Sequence, residues 1–443
     1  MATDKKIEAK QQQHETLIKH HRFVNFHGQT LYQPTPESPY LPLTSPTLAR
    51  LLYQYFPYAS TPQIKEVEHK VRNDSPDHSH LDHLIGFPNQ TWNMNTLQWE
   101  PPQDTILRSP ITPSPKHAPL AQKYLLQLAN GDQLLAQDYL QALAPLFMHS
   151  KPTGVVWFVG NGANGKSSLI NALYRIIGNH LTSLTAASIE DGRDTPRLQG
   201  VIGNICRESS EARIEDSERY KAIGTHEPFS VHKFNSQESI TIHTNFHTIF
   251  NANNIPIFSD KTEGARRRTL IVPFPARFKD DPGFEARTFT PDFLGGLLHL
   301  ILETTTLLKK NHLQYAFSPA TLTAKGDYDA EVNSAEAFLA HLREKNIKAF
   351  TNYRMLRLAY ESWCMDHGLV PLGITSLKRV MTRLALANSS TVRYSDGAVA
   401  RLYLIDGTTP TDARELESFD NGFCVGIKAA PATPTQSKLA KDW

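Results

Sequence analysis

Gly160, Asn161, Gly162, Ala163, Asn164, Gly165, Lys166 and Ser167 run consecutively, and these types at this spacing can hold phosphate. Glycines let the backbone curl so that its amide hydrogens face inward, and a helix starting there adds partial positive charge at the same point. A lysine in the seventh position can reach the β- and γ-phosphates of a nucleoside triphosphate, and the hydroxyl after it can ligate magnesium. Lys166 and Ser167 occupy those positions, with Ser168 behind them. The simpler reading is a chance glycine-rich turn, and the flanks argue against it. Val155-Val156-Trp157-Phe158-Val159 precedes the loop as an apolar strand, while Leu169, Ile170, Leu173, Ile176 and Ile177 follow at helical spacing before Gly178. The expectation is a site for a nucleoside triphosphate and magnesium.

Three further groups of residues bear on what such a site would do. Val201 to Cys206 has strand character and leads into Arg207-Glu208-Ser209-Ser210-Glu211. A carboxylate at the end of a core strand can hold magnesium and polarise an attacking water. Glu208 lies nearest the strand end, with Glu211 as the reserve and a surface carboxylate as the bland alternative. Thr248 to Ala252 is another strand, followed by Asn253-Asn254-Ile255-Pro256. An amide there could sense the γ-phosphate, although an Asx turn before proline satisfies the same letters. Gly264-Ala265-Arg266-Arg267-Arg268 then enters the strand Leu270 to Phe274. Arginine offered to a neighbouring subunit's γ-phosphate stabilises transition-state charge, and a plain basic loop is the alternative.

The elements that must position these groups fit a chain of 443 residues, long enough for two or three domains. With 46 Lys and Arg against 44 Asp and Glu, net charge argues for no partner by itself. Cys206, Cys364 and Cys424 are far apart, which fits a reducing cytoplasm and neither a disulfide framework nor a structural zinc. No run reaches the ~18 apolar residues of a membrane span, so the expectation is a cytoplasmic protein. Residues 1–85 carry little pattern beyond a short helix at Leu48 to Tyr53. The alternation Asp77-His78-Ser79-His80-Leu81-Asp82-His83 invites a metal, but without cysteine a solvated loop is the simpler reading. Residues 86–150 hold a small β element and two helices, Leu120 to Ala129 and Leu134 to Phe147, split by Asn130-Gly131-Asp132. The nucleotide-binding domain spans 151–333, and residues 406–443 have the composition of a disordered tail. Between them, 334–405 reads as three helices and a hairpin around Asp396-Gly397, the pattern of a winged helix.

Taken in order, the four motifs resemble the superfamily 3 helicases, in the branch of phage, satellite-phage and poxvirus primase–helicases. Its G-x-G-x-N-G-K-S loop is matched from Gly160 to Ser167, its strand ending in glutamate by Asn204 to Glu208, and its a-t-N-x-x-P segment by Asn251 to Pro256. Its G-x-x-R-R segment before an I-P-F strand is matched by Gly264 to Arg268 and Val272-Pro273-Phe274. The similarity runs over roughly residues 80 to 400. It departs at Arg207, where relatives carry an acidic or small polar residue, and at Gly224-Thr225-His226-Glu227, where they have Gly-Gly-Asp.

The resemblance implies an α/β fold: a P-loop AAA+-like helicase core with an N-terminal helical region and a C-terminal winged helix. It implies that Asn253 senses the γ-phosphate and that Arg267 or Arg268 is an arginine finger acting on the next subunit. It implies an ATP-driven ring helicase, most simply a hexamer, moving 3′ to 5′ on single-stranded DNA during replication of a phage or mobile element in a bacterial cell. Residues 229–242 would form a hairpin reaching the ring channel, with His232 and Lys233 at its tip and Lys221 on the preceding helix meeting DNA phosphates. Lys378, Arg379 and Arg383 share one side of the third helix of the winged-helix region and, with Arg393 and Arg401, offer a duplex-binding face. Winged helices also dock proteins. Residues 1–85 are too few for a primase domain of usual size and carry no acidic metal cluster, so a separate primase is expected. The rivals are an origin-binding initiator that melts DNA without processive unwinding and a P-loop small-molecule kinase, in which the asparagine and arginine motifs would have no role.

Overall fold

The computed structural model describes residues 12–35, 38–209, 217–232, 239–253, 255, 264–345, 347–350, 353–369, 371–384, 388–393, 399–404, 416–418 and 425–427. The chain divides into two compact units, Met1–Ser209 with Glu218–Asn253 and Arg267–Thr321, and Ser210–Ser217 with Asn254–Arg266 and Leu322–Trp443. The fold is mixed α/β.

At the centre of the first unit lies a five-stranded parallel sheet. Its spatial order is Thr269–Pro273, Val155–Val159, His247–Ala252, Gly203–Cys206, Leu181–Thr182. The loop strand Val155–Val159 is therefore second from one edge, between the arginine-motif strand and the asparagine strand. Val155, Val156, Trp157 and Phe158 are all fully buried, which explains an apolar run without alternation: a central parallel strand is covered on both faces. The helix Lys166–Ile177 packs through Leu169, Ile170, Leu173, Ile176 and Ile177. Each such side chain removed from water contributes about 1.5–3 kcal/mol.

Helices cover the sheet. Ala118–Leu128 and Gln133–Leu143 pack against the long helix Pro291–Lys310. Asp132 caps the second of these by accepting from the Leu134 and Leu135 amides, so the Asn130-Gly131-Asp132 turn ends one helix and starts the next. Asp138, 1% exposed, accepts from Ser318 N and Oγ and from Thr321 Oγ1. It thereby fixes the start of the helix Pro319–Glu344.

Residues 12–86 also have structure of their own. A helix at 12–20 precedes an antiparallel sheet of Arg22–Phe26, Gln29–Gln33 and Leu41–Pro42, and the helices Ser45–Tyr55 and Thr61–Asp74 follow. Leu17, Phe23, Leu48, Leu52, Val67 and Val71 form their core. Pro46 and Pro62 sit in the first turns of these helices, where a missing N–H costs nothing. Within the 77–83 alternation, Asp77 accepts from Ser79 N and Oγ, and Asp82 lies 3.2 Å from His27 Nε2. No group of three or more His, Cys, Asp or Glu among the described residues is arranged to hold a metal ion. No helix among them is long and apolar enough to cross a membrane.

Two buried histidines give the first unit a distinct acid response. His180 Nε2 accepts from the Arg108 amide at 2.9 Å, and His247 Nε2 faces the Ala142 carbonyl at 2.9 Å. Burial lowers His180 to about 4 and His247 to about 3. Between the ordinary histidine value of 6.5 and these lower values the unfolded chain binds protons that the folded chain refuses. The stability these two groups contribute is therefore complete above pH 6.5 and drains as the pH falls below that value. The melting temperature should start dropping between pH 6.5 and 5, before most carboxylates titrate, and less steeply in His180→Gln. A melting temperature flat over that interval in the unmodified chain would refute it.

In the second unit, the helix Pro319–Glu344 is followed by the strand Ile347–Phe350, the helices Tyr353–Asp366 and Ile374–Arg383, and a hairpin of Asn388–Arg393 and Val399–Leu404. Ile347–Phe350 pairs antiparallel with Val399–Leu404, and its other edge takes Val425–Ile427. Phe338, Leu339, Leu342, Leu356, Tyr360, Leu377 and Val380 are buried between the helices. Tyr360 OH meets Ser334 Oγ at 2.9 Å.

Candidate functional site

The loop leaves the end of Val155–Val159 and closes at Lys166 on the start of its helix. Three bends depend on positive φ: Gly162 at 82°, Ala163 at 48° and Gly165 at 83°. Gly165 has a second reason to be glycine, because a Cβ there would sit 2.3 Å from Leu128 Cδ2. The loop is braced from outside. The Phe278 amide donates to the Ala163 carbonyl at 2.7 Å, and the Phe274 amide to the Val159 carbonyl at 2.7 Å. Leu128 and Phe278 were not legible as loop supports, since they lie 37 residues before and 113 after Gly165.

Lys166 is buried and turned back on its own loop, donating to the Gly160 carbonyl at 2.6 Å and to Asn164 Oδ1 at 3.0 Å. Burial lowers it to about 8. Asn164, 4% exposed, keeps Nδ2 without a protein partner. A lysine held only by neutral oxygens, beside an unsatisfied buried amide and a curl of backbone N–H groups, fits an incoming anion. Gly160, Asn161 and Ser168 lie along the same loop and helix start, and Ser167 is exposed there.

Parallel pairing brings the glutamate and asparagine motifs to the same end of the sheet, whereas the arginine motif enters its strand at the opposite end. Asn251 is in register with Phe158, and Cys206 with Phe250, so Gly160, Arg207 and Asn253 all follow strand ends on one edge. Ligand sites of open α/β sheets form along this carboxyl edge. Glu208 is exposed just beyond its strand. Arg207, the departure from the resembling pattern, lays its guanidinium 4.3 Å over the Tyr174 ring. Glu211 lies outside the described residues.

The asparagines differ from the sequence expectation in one respect. Asn253 is exposed at the bend after its strand, while Asn251, 5% exposed, reaches the loop: Nδ2 lies 3.4 Å from Ser167 Oγ and 2.6 Å from the Arg207 carbonyl. A buried amide at the penultimate position of an apolar strand, next to its carboxyl end, was the signal available for Asn251.

The three arginines are separated by the short helix Gly264–Arg268. Arg266 pairs with Glu336 at 3.4 Å. Arg268 is half-buried, and a Cβ on Gly224 would touch its Cδ at 3.0 Å, so its stem is laid on that glycine. Arg267 is exposed, with no ion pair among the described residues. Beneath them runs a buried hydrogen-bond chain in which Trp157 Nε1 donates to Tyr220 OH at 2.9 Å, and that hydroxyl meets Thr269 Oγ1 at 2.8 Å.

The candidate DNA contacts fall in separate places. Lys221 is half-buried on the helix Glu218–Thr225. Phe229–His232 and Ser239–Ile242 pair antiparallel from Phe229 with Ile242 to His232 with Ser239, and His232 is exposed at the end of its strand. Lys233 lies outside the described residues. In the second unit Lys378 is exposed on Ile374–Arg383, with Nζ 6.0 Å from the Tyr353 ring centre. Arg379 is half-buried on the same helix, and Arg383 is its last residue.

A family described as being of unknown function, DUF5906, matches residues 158–268. That span begins in the loop strand and ends at Arg268, and so contains all four motifs. No curated protein matches the chain. Among solved structures, the apo C-terminal region (305–718) of NrS-1 is similar at 15% identity and a TM-score of 0.45, covering 88% of this chain and 97% of that one. An A-form apo structure of the same NrS-1 region is similar at 15% identity and a TM-score of 0.43, covering 88% and 98%.

Proposed function

We propose that the chain is an ATP-dependent DNA helicase of the superfamily 3 type, with an AAA+-like core, that works as a ring during replication of a phage or mobile element. The observation that carries this reading is the meeting of Lys166, Ser167, Glu208 and the Asn251–Asn253 segment along the carboxyl edge of one parallel sheet, with Arg267 exposed on the short helix that enters the neighbouring strand from its other end. Counted along the chain, the strands stand in the order fifth, first, fourth, third, second, which suits a nucleotide motor with its asparagine strand beside the loop.

In this reading the loop amides and Lys166 bind the β- and γ-phosphates of ATP. Magnesium held by Ser167 and Glu208 would neutralise charge on the same phosphates. Glu208 orients the attacking water and takes its proton, and Asn253 contacts the γ-phosphate. Arg267 stabilises transition-state charge at the neighbouring protomer's site; Arg266 is already paired and Arg268 is packed against Gly224. Lys221 and the hairpin bearing His232 and Lys233 carry the strand of DNA.

Hydrolysis measured with and without single-stranded oligonucleotide tests the reading. About tenfold or greater stimulation is expected if phosphate contacts and hydrolysis are coupled, and it should fade with salt as counterion release requires. Equal turnover by an isolated monomer, indifferent to DNA, would end it. The helix–strand–helix–helix–hairpin order of the second unit, with Lys378 exposed, also suits a winged helix on duplex DNA and hence an origin-binding initiator. Unwinding of a forked duplex lacking any origin sequence separates the helicase from the initiator.

A further inference from the structure

Asn251 makes contacts unlike those of Asn204, another buried amide of the sheet. Asn204, for comparison, is satisfied at both ends by the Leu184 backbone, accepting at 2.7 Å and donating at 3.1 Å. Asn251 instead brackets the segment that carries Glu208. Its Nδ2 donates to the Arg207 carbonyl at 2.6 Å, and its own carbonyl accepts from the Ser209 amide at 2.8 Å. One residue thus holds the chain immediately before and immediately after Glu208. The same Nδ2 is 3.4 Å from Ser167 Oγ.

The orientation of the amide follows from chemistry. The Arg207 carbonyl can only accept, so nitrogen must face it, and Oδ1 is left over. That oxygen is buried without a protein partner on a residue 5% exposed. An unsatisfied buried acceptor costs about 1–3 kcal/mol unless something arrives to meet it. The nitrogen of the same amide lies between the Ser167 hydroxyl and the Glu208 segment, so the nucleotide site is the neighbouring polar region from which that partner would come.

We propose that Asn251 is a positioning residue for triphosphate cleavage, which sets the Ser167 hydroxyl and the Glu208 carboxylate at their working separation and keeps Oδ1 as an acceptor for the occupied site. This rests on the reading of the loop as a hydrolytic site. The role is distinct from that of Asn253, which is exposed at the bend after the strand.

The test uses the full chain with Asn251→Ala and the near-isosteric Asn251→Leu, which suits a buried apolar strand if alanine fails to fold. Three quantities are compared: turnover, Mn2+ affinity of the ADP complex by electron paramagnetic resonance, and binding of a fluorescent ADP analogue in EDTA. Losing a residue that orients metal-site groups costs about 10–100-fold in metal affinity or activity. Turnover and Mn2+ affinity should each fall by about that factor, while metal-free ADP binding stays near wild type. Unchanged Mn2+ affinity and turnover in both variants, with Lys166→Ala inactive, would overturn the assignment and leave the loop reading intact. Metal-free binding that falls as far as Mn2+ affinity would reduce Asn251 to a packing residue and overturn it as well. A fully active Lys166→Ala would take the assignment down together with the reading it rests on.

Discussion

Lys166→Ala should lower kcat/KM for ATP hydrolysis by about 10²–10³-fold or more, since a preorganised charge facing the transferring phosphoryl group is lost. The fold should survive, because the change removes a buried ammonium held only by the Gly160 carbonyl and Asn164 Oδ1. Its low value of about 8 adds a pH signature. Below pH 8 the ammonium is charged and ready for phosphate; above it the empty site loses the proton that an anion needs. Nucleotide binding should therefore take up a proton above pH 8, and affinity should fall with rising pH in the wild type but stay flat in Lys166→Ala. Calorimetry in two buffers of different ionisation enthalpy would measure the uptake. A variant hydrolysing within a fewfold of wild type would place the chemistry elsewhere.

Arg267→Ala should be as severe for turnover, about 10³–10⁵-fold by comparison with other arginine fingers, and nearly silent for nucleotide binding. The exposed side chain makes no ion pair among the described residues, so its removal should leave the melting temperature unchanged. Arg268→Ala should show the opposite balance, with a loss of stability from the stem packed on Gly224 and a smaller effect on turnover. Mixing supplies the sharper reading. When a site is completed by its neighbour, one Arg267→Ala protomer disables an adjacent wild-type site, and mixed rings lose more activity than the mutant fraction. Activity proportional to the wild-type fraction would rule out shared sites, and an inactive Arg268→Ala beside an active Arg267→Ala would reverse the assignment of the finger.

Much of the site was legible as letters because its signals are local. Glycines that need positive φ, a strand of β-branched and aromatic residues, and a helix with apolar residues at i, i+3 and i+4 are properties of about ten neighbouring residues. Accordingly the glycine-rich loop, its strand and helix, and the serial order of the glutamate, asparagine and arginine segments could be read from Val155 to Arg268 without coordinates. Residues 12–86 were less legible: the helix Thr61–Asp74 does show Ile64, Val67 and Val71 at helical spacing, but the core that joins them to Leu17, Phe23 and Leu48 is assembled from separate short elements.

What sequence alone determined is therefore a set of parts in chain order: a loop suited to triphosphate, two strand ends bearing a carboxylate and an amide, and three adjacent arginines. Only the tertiary structure decided their neighbours. Parallel pairing of His247–Ala252 between two other strands put Asn251, rather than Asn253, against Ser167. The packing of Gly264–Arg268 engaged Arg266 with Glu336 and Arg268 with Gly224, and left Arg267 exposed. Periodicity is set by the geometry of one segment, whereas proximity across a sheet depends on which distant segments bury each other, and no local pattern carries that information.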